Sequence, residues 1–412
     1  MIRRPVALLL LPLFLFAEPA RVETENTGLS AERLQRLSTA MQRYIDRGDV
    51  SGTVSLVARR GRIAFLDAQG FLDKESKKPM QADAIFRIAS MTKPLTSVAV
   101  MMLFEEGRFL LSDPVSKYLP EFKDMKVQVQ LGPATSVATR TIPAEREITI
   151  QHLLTHTAGL MNAYSSASTI LYPKLAADRK PTDTIGDMTK RLAQLPLEFQ
   201  PGTAWQYGPA TDVLGRLVEV VSGMSFDAFL RQRILDPLGM KDTQFYVPDG
   251  KLPRLATNYA PRTGGGITPT AGAGAGRGSQ IYFSGGGGLS STAEDYFRFC
   301  QMLLNGGKTA SGKRLLSRKT IELMTANHIG DLKLWPALAG NRFGLGFRVL
   351  TDLGAAGHLG SVGSYGWGGA FGTYFFIDPK EEMIGIFMVQ IAPYTHLNIR
   401  QEFQNLATQA ID

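Results

Sequence analysis

The sequence predicts an α+β fold, an α/β sandwich in which one antiparallel sheet is built from both ends of the chain and flanked by helices. Two pairs of β-prone runs support this, one within residues 53–67 and one within 374–389. Helical periodicity dominates the stretch between them, about residues 87–285. This order favours a single domain over residues 26–412, with the sheet formed by about 26–86 and 286–412, rather than two tandem domains.

Residues 1–20 have the pattern of an export signal peptide. Two arginines precede an apolar run at residues 6–17, which is shorter than a bilayer span. We expect cleavage after Ala17 or Ala20, and a periplasmic or secreted mature protein without stable membrane insertion. An uncleaved anchor and a buried helix are the alternatives.

The first elements of the mature chain are a helix and a hairpin. Ser30 is expected to cap a helix that ends near Gly48, because apolar residues follow at helical spacing: Leu34, Leu37, Met41 and Ile45. The runs 53–58 and 63–67 flank a turn at Arg60-Gly61 and predict the first hairpin.

A second helix is predicted at residues 90–106, where apolar residues occur on every face before Gly107. A helix without a polar face is expected in the protein centre. Beyond it, residues 114–147 are predicted to be irregular, and further helices are predicted at 150–154, 212–221, 225–235 and 293–304.

The last third of the chain begins with a glycine-rich segment at 264–288. We expect a long loop there, because no strand leads into it and the GxGxxG spacing of nucleotide-binding loops is absent. The runs 374–377 and 384–389 predict the second hairpin, and an amphipathic helix at 396–411 is expected to close the chain.

Composition excludes several classes of protein. Hydrophobic residues make up 44% of the 412 residues and charged residues 20%, so wholesale disorder is excluded. The single cysteine, Cys300, excludes an internal disulfide and a cysteine-based zinc site. The net charge is +8, but the basic residues are dispersed and lack interleaved aromatic residues, so we expect no nucleic acid partner.

Ser90 and Lys93 are the first candidates for catalysis. They lie three residues apart at the start of the predicted buried helix, so their side chains share one face. A serine hydroxyl is a good nucleophile only when a base takes its proton, and desolvation makes a lysine amine such a base. The pattern S-x-x-K is weak by itself, since chance produces it in a chain of this length. A partly exposed lysine in the first helical turn is the structural alternative.

Several further segments resemble motifs of one superfamily in the same order. Residues 148–160 (ITIQHLLTHTAGL) resemble a segment of the serine β-lactamases and penicillin-binding proteins. Residues 205–215 (WQYGPATDVLG) resemble the tyrosine motif of the family VIII carboxylesterases. The resemblance covers about residues 28–410 and continues at 236–240, 286–292 and 365–369. Several motifs in one order are more specific than any one of them.

This resemblance implies a β-lactamase/transpeptidase-like fold and a role for each matching residue. Ser90 would be the acylated nucleophile, and Lys93 and Tyr207 would relay its proton to the leaving group. The backbone N–H groups of Ser90 and Ala370 would form the oxyanion hole. The resemblance implies neither a metal ion nor an organic cofactor.

Two departures from the class C β-lactamases indicate a different substrate. Their Tyr-x-Asn motif has Pro209 at its third position here, and Trp367-Gly368-Gly369 stands in place of their Lys-Thr-Gly motif. We expect Trp367, Gly368 and Gly369 to bind substrate, with the tryptophan as an apolar wall. The resemblance therefore implies a serine carboxylesterase that cleaves esters of short to medium acyl chains.

Other functions stay open at this point. β-Lactam hydrolysis, cleavage of D-amino-acid peptides and acyl transfer to an alcohol would use the same residues, whereas a non-catalytic scaffold would keep only the fold. His152 and His156 have the i, i+4 spacing of zinc ligands on a helix, but HExxH is absent, so we expect no metal. The expected partner is a small-molecule ester, with a β-lactam as the alternative, and the oligomeric state is not determined by the sequence.

Three more residues are assigned secondary roles, and the cysteine is assigned to the core. Trp205 and Tyr365 either line the acyl pocket or pack in the core, and Asp212 is expected to be structural. Cys300, on a helix with other apolar residues, is expected to be a buried small hydrophobe.

Overall fold

The computed structural model describes residues 20–131, 139–162, 180–270 and 277–412. The predicted signal peptide therefore lies outside the described residues, apart from Ala20. Within these ranges, every helix is too short or too polar to cross a lipid bilayer.

The strands and helices of the described ranges have the following bounds. The strands are β1 (Arg21–Val22), β2 (Gly52–Arg59), β3 (Arg62–Asp73), β4 (Lys78–Pro79), β5 (Phe86–Arg87), β6 (Lys126–Gln130), β7 (Thr139–Pro143), β8 (Tyr259–Pro261), β9 (Ile267–Pro269), β10 (Ser290–Ser291), β11 (Asn341–Phe343), β12 (Arg348–Leu350), β13 (Tyr365–Gly368), β14 (Tyr374–Asp378) and β15 (Met383–Val389). The helices are α1 (Ala31–Asp46), α2 (Thr92–Glu105), α3 (Ile150–Leu154), α4 (Ile185–Leu192), α5 (Ala210–Ser222), α6 (Phe226–Leu230), α7 (Asp236–Leu238), α8 (Ala293–Leu304), α9 (Arg318–Met324), α10 (Leu353–Ala356) and α11 (Ile399–Thr408).

A nine-stranded antiparallel sheet joins the two ends of the chain. Its order is β1-β3-β2-β15-β14-β13-β12-β11, with β4 beside β3. The N-terminal hairpin meets the C-terminal strands where β2 pairs with β15, from Thr53 opposite Val389 to Arg59 opposite Met383. This pairing confirms the predicted α+β fold, with a sheet from both termini and a mainly helical region inserted between them.

The central strands are buried on both faces. Along β15, alternate residues pack either into the large core shared with the helical region or into a second core beneath α1 and α11. The first set is Ile384, Ile386 and Met388, and the second is Met383, Phe387 and Val389. Because both faces are covered, the strand is an uninterrupted apolar run rather than an alternating one.

The predicted first helix, first hairpin and buried helix are confirmed. Ser30 caps α1 by accepting a hydrogen bond from the backbone N–H of Arg33. A short 3-10 turn at Ala89–Met91 precedes α2, and residues 92–103 of that helix are all buried. The apolar helix thus lies in the protein centre, as its composition predicted.

Three local predictions were wrong. Residues 114–147 are not irregular throughout, since β6 and β7 form a hairpin: Val127 and Val129 alternate with polar residues along β6, whereas β7 is mostly polar and exposed. The helix at 225–235 does not stop before Pro237: it passes through a π-helical turn at Arg231–Leu235 into α7. Pro237 follows directly on this π-helical turn, in which the N–H of Asp236 donates to the Arg231 carbonyl. The closing helix, α11, is shorter than the predicted 396–411.

Candidate active site

Ser90 lies in the short 3-10 turn between β5 and α2. The preceding residue, Ala89, has a φ of +43°, a left-handed conformation that is unfavourable for a residue with a Cβ atom. Pairing of β5 with β10 and a 3.0 Å hydrogen bond from Ile88 N–H to the Leu289 carbonyl hold this turn in place. The strained backbone therefore presents Ser90 from a rigid support.

The Lys93 amine connects the serine to two distant segments of the chain. The residue is only 6% exposed, and its Nζ lies 3.3 Å from Ser90 Oγ. Nζ also donates to the carbonyl of Gly286 at 2.5 Å and lies 4.6 Å from the centre of the Tyr207 ring. The structure therefore brings together the serine, lysine and tyrosine that the sequence selected, with the amine over the face of the tyrosine ring.

Tyr207 is held by the segment before α5 and by an aromatic neighbour. The N–H of Gln206 donates to the His156 carbonyl at 2.9 Å, and the His156 and Tyr207 ring centres are 4.9 Å apart. Trp367 Nε1 donates to the Tyr207 hydroxyl at 3.5 Å, and the two rings are 5.4 Å apart. Trp367 thus contacts the candidate catalytic tyrosine from the sheet side.

The predicted oxyanion hole lies where β13 approaches the serine turn. Among the described residues, no group accepts a hydrogen bond from the backbone N–H of Ser90 or of Ala370. A Cβ atom on Gly369 would lie 2.3 Å from the Ile88 carbonyl oxygen and 2.2 Å from Thr373 Oγ1. Only glycine allows this approach of the two backbones, so the two N–H groups belong to neighbouring segments that are in contact.

Asp212 was expected to be structural, and in the structure it binds the segment that contains Ser284 and Gly286. Its Oδ1 accepts hydrogen bonds from Ser284 Oγ at 2.7 Å and from Gly286 N–H at 3.3 Å. The carbonyl of the same Gly286 accepts the Lys93 amine. A point at the Cβ position of Gly286 lies 2.7 Å from Asp212 Oδ2 and 3.4 Å from Lys93 Nζ. Asp212 therefore positions the segment that holds the amine.

An aromatic wall lies beside the ring of Tyr207. Trp335 is 38% exposed, and its ring lies 5.3 Å from the rings of both Trp205 and Tyr207. Trp205, one of the two pocket candidates, belongs to this wall. The other candidate, Tyr365, is buried against Phe347 and belongs to the core. Sequence reasoning missed Trp335, because it lies outside the matched motifs.

The two spaced histidines do not share a helix face. Helix α3 ends at Leu154, so His156 lies beyond it, with a φ of +57°. His152 instead accepts the N–H of Thr149 through Nδ1 at 3.2 Å and helps to cap that helix. The four described ranges contain no cluster of three or more His, Cys, Asp or Glu side chains that could bind a metal ion.

His156 makes the stability of the protein dependent on pH. Burial, aided by the charge of Lys93, lowers the pKa of its imidazole from 6.5 to about 3. Between these values the unfolded chain binds a proton that the folded chain does not, so the fold loses stability as the pH falls. We expect His156→Asn, which tolerates the left-handed backbone, to lose roughly 1 kcal/mol less per pH unit in this window.

Urea unfolding near neutral pH and near pH 4 measures this difference. The comparison with the variant cancels the contributions of other titrating groups, including the half-buried His152, whose pKa is also lowered by burial. Parallel loss of stability in the two proteins would contradict the assignment to His156.

A serine with a lysine one helical turn away, set between an antiparallel sheet and an inserted helical region, defines a class of enzymes. These are the serine hydrolases with the β-lactamase/transpeptidase-like fold, and this protein is one of them. The chain belongs to the Beta-lactamase family, whose model matches residues 37–409. The resemblance inferred from the motifs is thereby confirmed.

Individual relatives cover nearly the whole chain. Protein Rv1367c of Mycobacterium tuberculosis is 36% identical over 379 residues, which is 86% of this chain and 89% of the relative. Esterase EstB of Burkholderia gladioli is 30% identical, over 88% of this chain and 90% of the esterase. The solved structure of EstCE1, a hydrolase with promiscuous acyltransferase activity, has a TM-score of 0.76 and 29% identity, over 92% of this chain and 98% of EstCE1.

Proposed function

We propose that this protein is a carboxylesterase that cleaves uncharged esters of short to medium acyl chains through an acyl-enzyme at Ser90. The observation that carries the proposal is the position of the Lys93 amine, 3.3 Å from Ser90 Oγ and over the ring of Tyr207. Similarity to EstB and EstCE1 supports an ester as the substrate.

The first half of the proposed reaction forms the acyl-enzyme. Ser90 Oγ bonds to the ester carbonyl carbon, and its proton passes to the pair formed by Lys93 and Tyr207. The carbonyl oxygen gains the negative charge beside the N–H groups of Ser90 and Ala370. When the carbon–oxygen bond breaks, the pair returns the proton to the leaving alcohol.

The second half regenerates the serine. Water loses a proton to the same pair, and its oxygen bonds to the acyl carbon. The bond from the acyl carbon to Ser90 Oγ then breaks, Oγ recovers the proton and the carboxylic acid leaves. No further group is needed to balance either step.

The aromatic wall supports an apolar ester. Trp335, Trp205 and Trp367 surround Tyr207, and the 367–369 segment has no lysine that would bind a substrate carboxylate. An aromatic or aliphatic substituent can be desolvated against these rings, whereas an anionic one gains no charged partner from the motif.

Removal of Trp335 is predicted to lower selectivity for aromatic esters. For Trp335→Ala we expect kcat/KM for naphthyl acetate to fall roughly 10-fold, with a smaller change for ethyl acetate, since an aromatic contact contributes about 1 kcal/mol or more. The Leu359→Ala variant, which removes another exposed apolar side chain, is the control. Equal losses for the two esters would contradict a specific role of Trp335.

A direct test of the proposed function combines activity with labelling. The purified protein is expected to hydrolyse p-nitrophenyl acetate and p-nitrophenyl butyrate. A fluorophosphonate should block both activities and add its mass to the peptide that contains Ser90. A non-catalytic scaffold would show neither effect, and labelling of a different serine would contradict the assigned nucleophile.

The alternatives that share this chemistry are separated by substrate and product. Hydrolysis of nitrocefin at a rate similar to that of the esters would favour a β-lactamase, and release of D-alanine from a D-alanyl peptide would favour a peptidase. Formation of a new ester when an alcohol is added would reveal acyl transfer, an activity described for the relative EstCE1.

We also propose that the protein is exported and that the signal peptide within residues 1–20 is removed. The two arginines and the apolar run of residues 6–17 support this proposal. Cell fractionation, with N-terminal sequencing of the recovered protein, is expected to find a mature chain that begins after Ala17 or Ala20. A cytoplasmic protein with an intact N-terminus would contradict it.

A further inference from the structure

Arg400, near the start of α11, binds the turn that follows β13. Its guanidinium donates hydrogen bonds to the carbonyl of Gly372 at 3.0 Å, to that of Thr373 at 2.8 Å and to that of Gly369. It also donates to the hydroxyl of Tyr394, and its carbon lies 3.7 Å from the centre of that ring. We call residues 369–373 the oxyanion turn, because it contains Ala370.

The oxyanion turn is fixed on both sides. On the serine side, Thr373 Oγ1 donates to the carbonyl of Ile88, two residues before Ser90. On the other side, three of its carbonyl groups are bound by the single guanidinium of Arg400. The carbonyls of Gly369 and Thr373 also accept N–H groups of the turn itself, whereas the N–H of Ala370 has no acceptor among the described residues.

Arg400 and Gly368 fit each other. A Cβ atom on Gly368 would lie 2.7 Å from Nη1 of Arg400 and 2.8 Å from its central carbon. The guanidinium therefore occupies the space that any larger residue at position 368 would need. The two glycines after Trp367 are needed for different reasons. Gly368 leaves room for Arg400, and Gly369 allows the close approach to the serine turn.

The charge of Arg400 is not neutralised by a carboxylate. No Asp or Glu of the described ranges lies within ion-pair distance of its guanidinium. Burial lowers its pKa to about 10, so the side chain stays charged at neutral pH. It also interacts electrostatically with Tyr207. A partly buried cation without a counter-ion is unfavourable unless it is used, and here it lies behind the segment at which negative charge would develop.

We propose that Arg400 is a positioning residue for oxyanion stabilisation: it aims the Ala370 N–H at the substrate oxygen and adds a positive charge behind the oxyanion turn. This inference rests on the proposed function, since it needs an acyl transfer at Ser90.

The test compares two arginines of the same neighbourhood. Arg348 contacts the side chains of Tyr374 and Gln404 but binds no carbonyl of the oxyanion turn. For Arg400→Ala we expect kcat for p-nitrophenyl butyrate to fall about 100-fold, with KM within about 3-fold of wild type. Affinity for a boronic acid, which forms a tetrahedral adduct on the serine, should fall in proportion to kcat/KM. Arg348→Ala should change neither quantity to this degree.

Rescue by guanidinium distinguishes the loss of a positioning contact at the oxyanion turn from a general disruption of the fold. Millimolar guanidinium chloride is expected to restore part of kcat to Arg400→Ala, whereas equal sodium chloride is not, and neither salt should improve Arg348→Ala. Should Arg400→Ala fail to fold, Arg400→Lys keeps a cation but cannot bind three carbonyls as a planar fork. We expect that variant to lose most of kcat and of the boronic acid affinity as well.

The outcomes separate this inference from the proposed function. A wild-type protein without esterase activity or labelling at Ser90 would overturn the proposed function. An active wild type would overturn the inference alone in either of two cases: if Arg400→Ala or Arg400→Lys keeps wild-type kcat, or if Arg400→Ala loses activity without any rescue and by the same factor as Arg348→Ala.

Discussion

Replacement of Ser90 by alanine is expected to abolish ester hydrolysis, with kcat for p-nitrophenyl butyrate at least about 10⁴-fold lower. The variant lacks the oxygen that would bond to the acyl carbon, so the Lys93 amine has no proton to take from the nucleophile. Whatever activity remains would come from substrate binding and from the two backbone N–H groups acting on attack by water.

Ser97 provides a matched control for this prediction. It is a buried serine of α2, the helix that follows the Ser90 turn, and lies seven residues further along the chain. Ser97→Ala should keep activity within a few-fold of wild type and should still show the mass of an acyl-enzyme after rapid acid quenching. Hydrolysis by Ser90→Ala at the rate of Ser97→Ala would exclude the proposed nucleophile.

Replacement of Lys93 by methionine is expected to lower kcat by about 10³-fold or more while leaving the fold intact. Methionine fills the volume of the buried stem but carries no proton. The substitution also removes a nearly buried polar amine, and the desolvation this relieves offsets the lost hydrogen bond to the Gly286 carbonyl. We therefore expect a melting temperature close to that of wild type, measured by circular dichroism, beside a large loss of activity.

The Lys93→Arg variant distinguishes proton transfer by the side chain from the effect of its positive charge. Arginine keeps the cation beside Tyr207 but does not give up a proton in proteins. If Lys93 exchanges a proton with Ser90, Lys93→Arg should be nearly as inactive as Lys93→Met. Substantial activity in Lys93→Arg, with none in Lys93→Met, would show that the lysine serves only as a positive charge.

Several local features could be predicted from short stretches of sequence. The capped helix after Ser30, the two hairpins and the buried helix α2 each follow from the spacing of apolar residues and from adjacent turns. The hairpin of β6 and β7 escaped prediction although Val127 and Val129 alternate with polar residues along β6, because β7 is mostly polar and exposed and its pairing is not revealed by apolar periodicity.

The residues of the candidate site also differ in how far they could be predicted from the sequence. The contact of Ser90 with Lys93 is nearly guaranteed by their spacing, since residues i and i+3 of a helical turn are neighbours. Tyr207, Trp367 and Ala370 were selected by resemblance to a family. The resembling segments also include Asp212 and Gly286 but do not give their contacts, and nothing in the sequence marked Arg400, because all three act through contacts between segments far apart in the chain.

The sequence by itself thus determined the elements, the helical pairing of serine with lysine and the family to which the chain belongs. Only the tertiary structure decided how the site is supported: a carbonyl of the 284–288 segment on the amine, an aspartate behind that segment and an arginine behind the oxyanion turn. The physical reason is that helix and turn preferences act over a few residues. Contacts across hundreds of residues depend on how the sheet joins the two ends of the chain and on how the helical region packs against it.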